Sequence, residues 1–145
     1  MLLDIDSQTK TVVRYELDLD AGTLSEPQIV VDLRGGNVFP DGMIVTPDEK
    51  SVIVAMYNPN DAPHGEARQY GIADGQLEAV WKTPQSSQVT CPQLIELDGH
   101  VKLILTTAVE RMPPERLRYR QNAGCLFVAD TEFDRLSPAP EFQIP

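Results

Sequence analysis

Three features of the sequence predict an all-β fold made of propeller-like blades. Short runs rich in Val, Ile, Tyr and Thr recur along the chain, and these residue types favour strands. Turn signals such as DAGT, RGGN, TPDEK and LDGH separate the runs at intervals of about 8 to 12 residues. The third feature is an internal repeat whose length is typical of one blade.

The expected strands follow one another with short turns between them. One short helix is expected in PPERLRYRQN, which begins with two prolines and ends at Asn122-Ala123-Gly124. We expect this helix to belong to a loop. The expected strands cover residues 2–5, 11–18, 28–33, 41–46, 52–57, 67–72, 77–83, 93–97, 102–108 and 124–129.

The repeat is defined by two pairs of markers in segments of similar layout. Pro40 and Pro92 lie 52 positions apart (92 − 40), and Gly22 and Gly75 lie 53 apart (75 − 22). A unit of this length with four short strands is typical of one propeller blade, although chance similarity between β-hairpins is the alternative. At this period 145 residues supply slightly fewer than three blades, whereas a propeller closes with about four or more. Either the chain is a piece of a larger protein or several copies close a ring.

Composition and charge exclude some classes of partner. The net charge is −10 and the pI is about 4.5, so the chain is expected to repel nucleic acid. An acidic balance is compatible with a carboxylate-lined pocket that holds a cation. No run approaches the roughly 18 apolar residues of a membrane span. Met1-Leu2-Leu3 leads directly into Asp4 and Asp6, unlike a signal peptide, so a cytoplasmic location is expected.

The two cysteines, Cys91 and Cys125, lie in apolar contexts and are expected to be free, buried thiols. The chain has two histidines and contains neither a CxxC nor an HExxH motif. A closed zinc site built from this chain alone is therefore not expected.

Several ordered segments resemble one known family. They are DIDSQTKTVVRYELDLDAGTLSEPQIVVDL, FPDGM, SVIVAMYNP, TTAVERM and NAGCLFVADTEF. Together they resemble the gluconolactonase/regucalcin family (senescence marker protein, luciferin-regenerating enzyme), whose members are six-bladed β-propellers. The resemblance implies that residues 1–145 form the C-terminal half of such a propeller. That half is an incomplete domain, a partial six-bladed β-propeller of about three blades, each an antiparallel four-stranded sheet.

The resemblance also implies a function. Complete propellers of this family hydrolyse a sugar lactone or related cyclic ester with a divalent cation (Ca²⁺, Mg²⁺, Mn²⁺ or Zn²⁺) at one end of the central channel. A Glu, an Asn and an Asp from different blades hold the cation, and only the Asp has a counterpart here, Asp41 in FPDGM. The matching Glu and Asn would lie upstream of Met1, as would the Arg and Asn that bind the sugar.

Asp41 is the main candidate for both metal ligation and catalysis. The innermost strand of a blade lines the channel, so a carboxylate at its mouth points towards the axis, where anionic oxygens suit a hard cation. The adjacent Gly42 allows a tight backbone approach. We expect Asp41 to ligate the cation and to take the proton of the attacking water. The alternative is that Pro-Asp-Gly only forms a turn.

Other residues have weaker assignments. Asn58 and Gln93 are candidates for substrate binding, although Asn58 also suits a turn and Gln93 a core edge. Trp81 is expected to pack between blades. Four arginines in the segment that contains the helix are expected to form a solvated loop face; they are Arg111, Arg116, Arg118 and Arg120.

A non-enzymatic function is the alternative. A catalytically incomplete propeller fragment could self-associate through its open blade faces, because soluble monomers rarely tolerate large exposed apolar patches. It could also bind calcium or another small ligand without turnover.

Overall fold

The computed structural model describes residues 1–137 and confirms the all-β prediction. The polypeptide forms short antiparallel strands with one short helix, α1 (Pro114–Tyr119), in the loop where a helix is expected. The strands are β1 (Leu2–Asp6), β2 (Thr11–Tyr15), β3 (Leu17–Asp18), β4 (Thr23–Leu24), β5 (Gln28–Asp32), β6 (Phe39–Val45), β7 (Ser51–Tyr57), β8 (His64–Gly71), β9 (Leu77–Pro84), β10 (Val89–Leu97), β11 (His100–Thr107) and β12 (Phe127–Asp130). Within the described residues, no helix is both long and apolar enough to cross a membrane.

The strands form three successive antiparallel blades. The first blade has strand order β1-β2-β5 with a small β3-β4 hairpin beside it, the second is β6-β7-β8-β9, and the third is β10-β11-β12. Within residues 1–137 only the second blade has the four strands expected of every blade. The partial propeller is therefore confirmed, with three-stranded main sheets on either side of a complete one.

The repeat markers occupy equivalent places in successive blades. Gly22 lies between β3 and β4 and Gly75 between β8 and β9, and their φ angles of 64° and 68° are both in the left-handed region that favours glycine. Pro40 lies in β6 and Pro92 in β10, each the first strand of its blade. The period of about 52 residues in the sequence is thus the period of the blades.

The core consists of two layers, one on each side of the second blade. Side chains alternate along β7, as in any strand. Val52, Val54 and Met56 belong to the cluster shared with the first blade. Ile53 and Ala55 belong to the cluster shared with the third blade. Both faces of β7 are therefore buried, which explains its almost uninterrupted apolar sequence.

Trp81 on β9 joins the second and third blades, as expected. Its ring packs against the second core cluster, and its Nε1 donates a hydrogen bond to the main-chain oxygen of Asp130 on β12 at 3.0 Å. The indole therefore makes an apolar contact and a polar contact between blades.

The cysteines are free but exposed, so the expectation that they are buried was wrong. The ladder between β10 and β11 contains a bulge between Val89 and Cys91. A bulge inserts one residue and reverses the alternation that follows. Pro92 therefore faces the core, while Cys91 faces outwards. Cys125 lies before β12, which begins at Phe127 instead of residue 124.

The arginine cluster is not a uniformly solvated face. Arg116 is partly buried, with 13% of its side chain exposed, and pairs with Asp61 at 3.1 Å. Its guanidinium also donates to the main-chain oxygen of Pro59 at 2.9 Å and to the Ser87 hydroxyl at 2.7 Å. Arg120 pairs with the same Asp61 carboxylate at 3.0 Å. These two arginines hold the α1 segment against the loop after β7. Only Arg111 and Arg118 are exposed to solvent, as expected for a solvated loop face.

Candidate active site

Asp41 lies at a bulge near the start of β6. Pro40 pairs with β7, and the next paired residue on β6 is Met43, so Asp41 and Gly42 are out of the regular ladder. Such bulges redirect side chains. A Cβ on Gly42 would lie 2.7 Å from the main-chain oxygen of Thr90, so β6 approaches β10 more closely than any other residue would allow. The Asp41 corner is therefore built by the local backbone and by the adjacent third blade.

The Asp41 side chain lines a cavity of about 450 Å³. Ser7 comes from the first blade, Asp41 and Tyr57 come from the second, and Gln88 and Glu110 flank the third. We call this cavity the Asp41 pocket. The pocket thus lies between residues of three successive blades, and the expectation that Asp41 faces a central channel stays a prediction.

The charges of the Asp41 pocket are not balanced. Partial burial of Asp41, and then the nearby negative charge of Glu110, raise the pKa of the Asp41 carboxyl above its ordinary value of 3.8. The same causes, burial first, raise the pKa of Tyr57. The Tyr57 hydroxyl lies 3.5 Å from Oε2 of Glu110. Arg111 also lines the pocket, so two carboxylates face one guanidinium, and the remaining negative charge favours a cation or hydrogen-bond donors as its contents.

Gln88 is a pocket residue that sequence reasoning missed. It is 1% exposed, and its Nε2 donates to the main-chain oxygen of Glu110 at 2.9 Å. Its Oε1 is buried and has no hydrogen-bond partner within the described chain. One signal in the sequence was the polar run Ser86-Ser87-Gln88 directly before an apolar strand. All three residues of this run are buried.

The oxygen atoms of the pocket fit a hard divalent cation. The carboxylate oxygens of Asp41 and Glu110 are of the type that Ca²⁺, Mg²⁺ and Mn²⁺ prefer. In the part of the chain that the structure describes, however, no three His, Cys, Asp or Glu side chains group closely enough to hold a metal. The residues present could therefore supply only part of a coordination shell.

The other two predicted site residues lie outside the Asp41 pocket. Asn58 lines a separate cavity of about 180 Å³ together with His64, and its Oδ1 accepts the Asn60 amide at 3.0 Å in a turn. Gln93 is exposed on β10, on the outward-facing side of the strand beyond the bulge. The structure thus does not bring Asn58 or Gln93 together with Asp41, and their roles in substrate binding stay predictions.

Three blades with an oxygen-lined pocket beside an inner strand define a partial β-propeller of the regucalcin type. The chain superposes on the crystal structure of a calcium-binding protein, regucalcin, from Agrobacterium tumefaciens str. C58 with a TM-score of 0.76 and 21% identity, covering 97% of this chain and 45% of that one. It also superposes on a luciferin-regenerating enzyme with a TM-score of 0.66 and 16% identity, covering 94% of this chain and 45% of that one. At these identities the similarity establishes the fold.

Sequence comparison establishes the family. Residues 1–109 match the SMP-30/Gluconolactonase/LRE-like region, and the chain belongs to that family. It is 30% identical over 138 residues to a Bacillus subtilis (strain 168) protein named "Putative sugar lactone lactonase YvrE", covering 94% of this chain and 44% of that protein. The chain therefore spans less than half the length of the relatives that it matches.

Proposed function

We propose that this chain is the C-terminal half of a complete propeller that catalyses the metal-assisted hydrolysis of a sugar lactone or related cyclic ester. The observation that carries the proposal is the half-buried carboxylate of Asp41, with its raised pKa, in a pocket lined by oxygen atoms. Similarity over nearly the whole chain to a protein named "Putative sugar lactone lactonase YvrE" supports the choice of reaction.

Asp41 has two roles in this proposal, as a ligand of the cation and as the general base. A divalent cation supplies Lewis-acid stabilisation of the charge that develops on the carbonyl oxygen of the lactone. Asp41 takes a proton from the attacking water while the water oxygen bonds to the carbonyl carbon. The raised pKa of Asp41 makes this carboxylate a stronger base. The ring C–O bond then breaks, and the leaving alkoxide takes up the proton held by Asp41, which gives the open hydroxy acid and returns Asp41 to its ionised form.

A second candidate is binding without turnover. The structural similarity to a calcium-binding protein, regucalcin, favours a calcium-binding or ligand-binding module. Self-association is the other form of this alternative, because large apolar side chains are exposed on both flanking blades. Ile29 of the first blade is 53% exposed, and Leu126 beside the third is 67% exposed.

Hydrolysis of glucono-δ-lactone by a complete propeller that contains this chain, measured above the spontaneous rate by base uptake in a pH-stat, tests the main proposal. We expect a rate that requires added Ca²⁺, Mg²⁺, Mn²⁺ or Zn²⁺ and that falls by about 100-fold or more in Asp41→Asn. Asp20→Asn, which changes an exposed carboxylate in a turn of the first blade, serves as the matched control. An unchanged rate in Asp41→Asn would show that the role assigned to Asp41 is wrong.

Two further measurements separate the alternatives. Calorimetric titration with Ca²⁺ that shows binding without any lactone turnover would favour the binding module. Sedimentation velocity tests self-association, and a clean monomer at all concentrations would contradict it. Dimers that dissociate when Ile29 or Leu126 is replaced by Ser would support it.

A further inference from the structure

The direction of the Asp41 side chain is not set by the sheet to which the residue belongs. The ladder between β6 and β7 includes Pro40 and resumes only at Met43, so it does not fix the peptide between Pro40 and Asp41. Within residues 1–137 the Asp41 carboxylate also accepts no hydrogen bond that would hold it in place. A contact from outside the second blade is therefore needed to orient this residue.

Ser7 of the first blade makes such a contact. Its hydroxyl donates a hydrogen bond to the main-chain oxygen of Pro40 at 2.6 Å, which is short for a bond of this type. The Pro40 carbonyl and the Asp41 N–H belong to one planar peptide unit. The bond to Pro40 therefore also fixes the direction of the Asp41 N–H and, through it, the Cα–Cβ bond of Asp41.

The turn that carries Ser7 is itself closed by hydrogen bonds. The main-chain amide of Lys10 donates to the main-chain oxygen of Asp6 at 2.9 Å. Oδ1 of Asp6 accepts the main-chain amide of Gln8 at 2.8 Å, as is typical of Asx turns. We call residues 6–10, between β1 and β2, the clamp turn. Because both bonds fix its backbone, Ser7 is held in place on its own side of the contact.

The clamp turn also holds the segment that leads into β6. Nζ of Lys10 donates to the main-chain oxygen of Gly36 at 2.7 Å and lies 4.3 Å from the centroid of the Phe39 ring. A cation over an aromatic face is attracted by the ring. Gly36 and Phe39 both precede Pro40 on the chain. The first blade thus contacts this segment at three successive points, and the last of them is the peptide of Asp41.

We propose that Ser7 is a positioning residue, which sets from the first blade the direction in which the Asp41 side chain enters its pocket. Ser7 acts through the peptide between Pro40 and Asp41 and has no contact with the reacting atoms in this role. The inference rests on the proposed function for the reaction that Asp41 serves. The direction of Asp41 itself can be measured without any reaction.

The kinetic test uses a complete propeller that contains this chain. Ser7→Ala removes the donor, so the peptide before Asp41 is no longer held. Because small displacements of a catalytic group reduce the rate of the chemical step, we expect kcat to fall about tenfold while KM changes by less than about twofold. Ser7→Thr keeps the hydroxyl and should retain most of the wild-type kcat.

The structural test uses the full 145-residue chain without metal or lactone. Residual dipolar couplings measured by NMR report the direction of the Asp41 N–H. We expect this coupling to change in Ser7→Ala and to stay close to the wild-type value in Ser7→Thr. Thr131→Val is the matched control, since it removes a hydroxyl that donates to the main-chain oxygen of Val101 at 2.7 Å in the third blade. It should alter neither the Asp41 coupling nor kcat.

The two tests separate this inference from the proposed function. A complete propeller that hydrolyses no lactone contradicts the proposed function, and the couplings alone then decide whether Ser7 orients Asp41. An Asp41 coupling that is unchanged in Ser7→Ala would overturn the inference, as would an equal change in Thr131→Val. A changed coupling with wild-type kcat in an active propeller would overturn the catalytic importance of the contact. If Ser7→Ala does not fold, Ser7→Cys, whose thiol is a weak donor of similar shape, replaces it in both tests.

Discussion

The first and second blades are built from similar repeats but differ greatly in burial. In the second blade every residue of β7 from Ser51 to Met56 is buried. In the first blade β1, which precedes β2 and β5 as β7 precedes β8 and β9, has no fully buried residue, and the β3-β4 hairpin is exposed throughout. The second blade has a neighbour on each face, whereas within residues 1–137 the first has one on a single face. How many residues of a blade are buried thus depends on whether the blade has a neighbour on one face or on both.

The difference also explains where the site lies. Gly42, next to Asp41, packs against β10 of the third blade, and Ser7 of the first blade lines the same cavity as Asp41. Only the second blade has neighbours that can supply both within the described chain. Four comparisons of substitutions in the second blade with substitutions elsewhere test this account.

The largest effect is expected from truncation in the middle of β7. Ile53 is fully buried, and Ile53→Ala removes apolar contacts with the third blade and leaves a cavity. We expect a loss of about 2–5 kcal/mol in the free energy of unfolding. Ile29→Ala in the first blade, where Ile29 is 53% exposed, is expected to change it by no more than about 0.5 kcal/mol. Urea denaturation measures both, and similar losses would show that the first blade is as well packed as the second.

An intermediate effect is expected at Gly42. A methyl group there would meet the main chain of β10 at 2.7 Å, so Gly42→Ala should cost about 1–3 kcal/mol and should also displace Asp41. Gly35→Ala in the loop after the first blade meets no atom within 4 Å and should be neutral. Thermal unfolding compares the two variants. An unchanged melting temperature for Gly42→Ala would contradict the close packing of β6 on β10.

A smaller effect is expected from the polar contact between the second and third blades. Trp81→Phe keeps an aromatic ring but removes the donor to the Asp130 main-chain oxygen. The free energy of unfolding should fall by about 0.5–1.5 kcal/mol. Tyr119→Phe, at a side chain that is 76% exposed, is the control and should have no effect in the same denaturation experiment. Equal stability of wild type and Trp81→Phe would mean that the indole only fills space.

The smallest effect should have opposite signs in the two blades. Because the folded-state pKa of Asp41 is raised, its ionisation opposes folding as the pH rises above 3.8, so Asp41→Asn should stabilise the protein at pH 7 by less than about 1 kcal/mol. Arg34 lowers the pKa of the exposed Asp32 carboxyl to about 2. Asp32→Asn should therefore slightly destabilise the protein at pH values above 3.8, the ordinary pKa of this carboxyl. The Asp32 contribution is lost as the pH falls towards 2.

Melting temperatures between pH 3 and pH 7 measure both differences. The gain in Asp41→Asn should vanish at the acid end, where the carboxyl is protonated in the folded and unfolded protein. A gain that is independent of pH would point to a steric cause.

The sequence could predict the strands and the blade repeat because both depend on local patterns. The turns at Gly22 and Gly75 and the motif around Asp41 are visible in a short window. The outward direction of Cys91 could not be predicted, because it depends on a bulge whose partner strand lies more than ten residues away along the chain. Gln88 was missed because an unpartnered amide is defined only by the three-dimensional surroundings of the atom.

The burial of both faces of β7 also affects how the strand finds its partner. A strand with one apolar face is held in place by its pattern, since sliding by one residue would expose that face. If β7 slid by one residue, the face now formed by Val52 and Val54 would instead carry Ile53, which is equally apolar. Hydrophobicity therefore discriminates only weakly between the correct strand pairing and one shifted by a residue. The hairpin before β7 supplies the missing discrimination: Thr46 Oγ1 accepts the Ser51 amide at 3.0 Å and donates to Asp48 at 2.7 Å. Correct folding of the most buried strand is therefore decided at a polar turn whose anchoring residues, Thr46 and Ser51, are themselves buried.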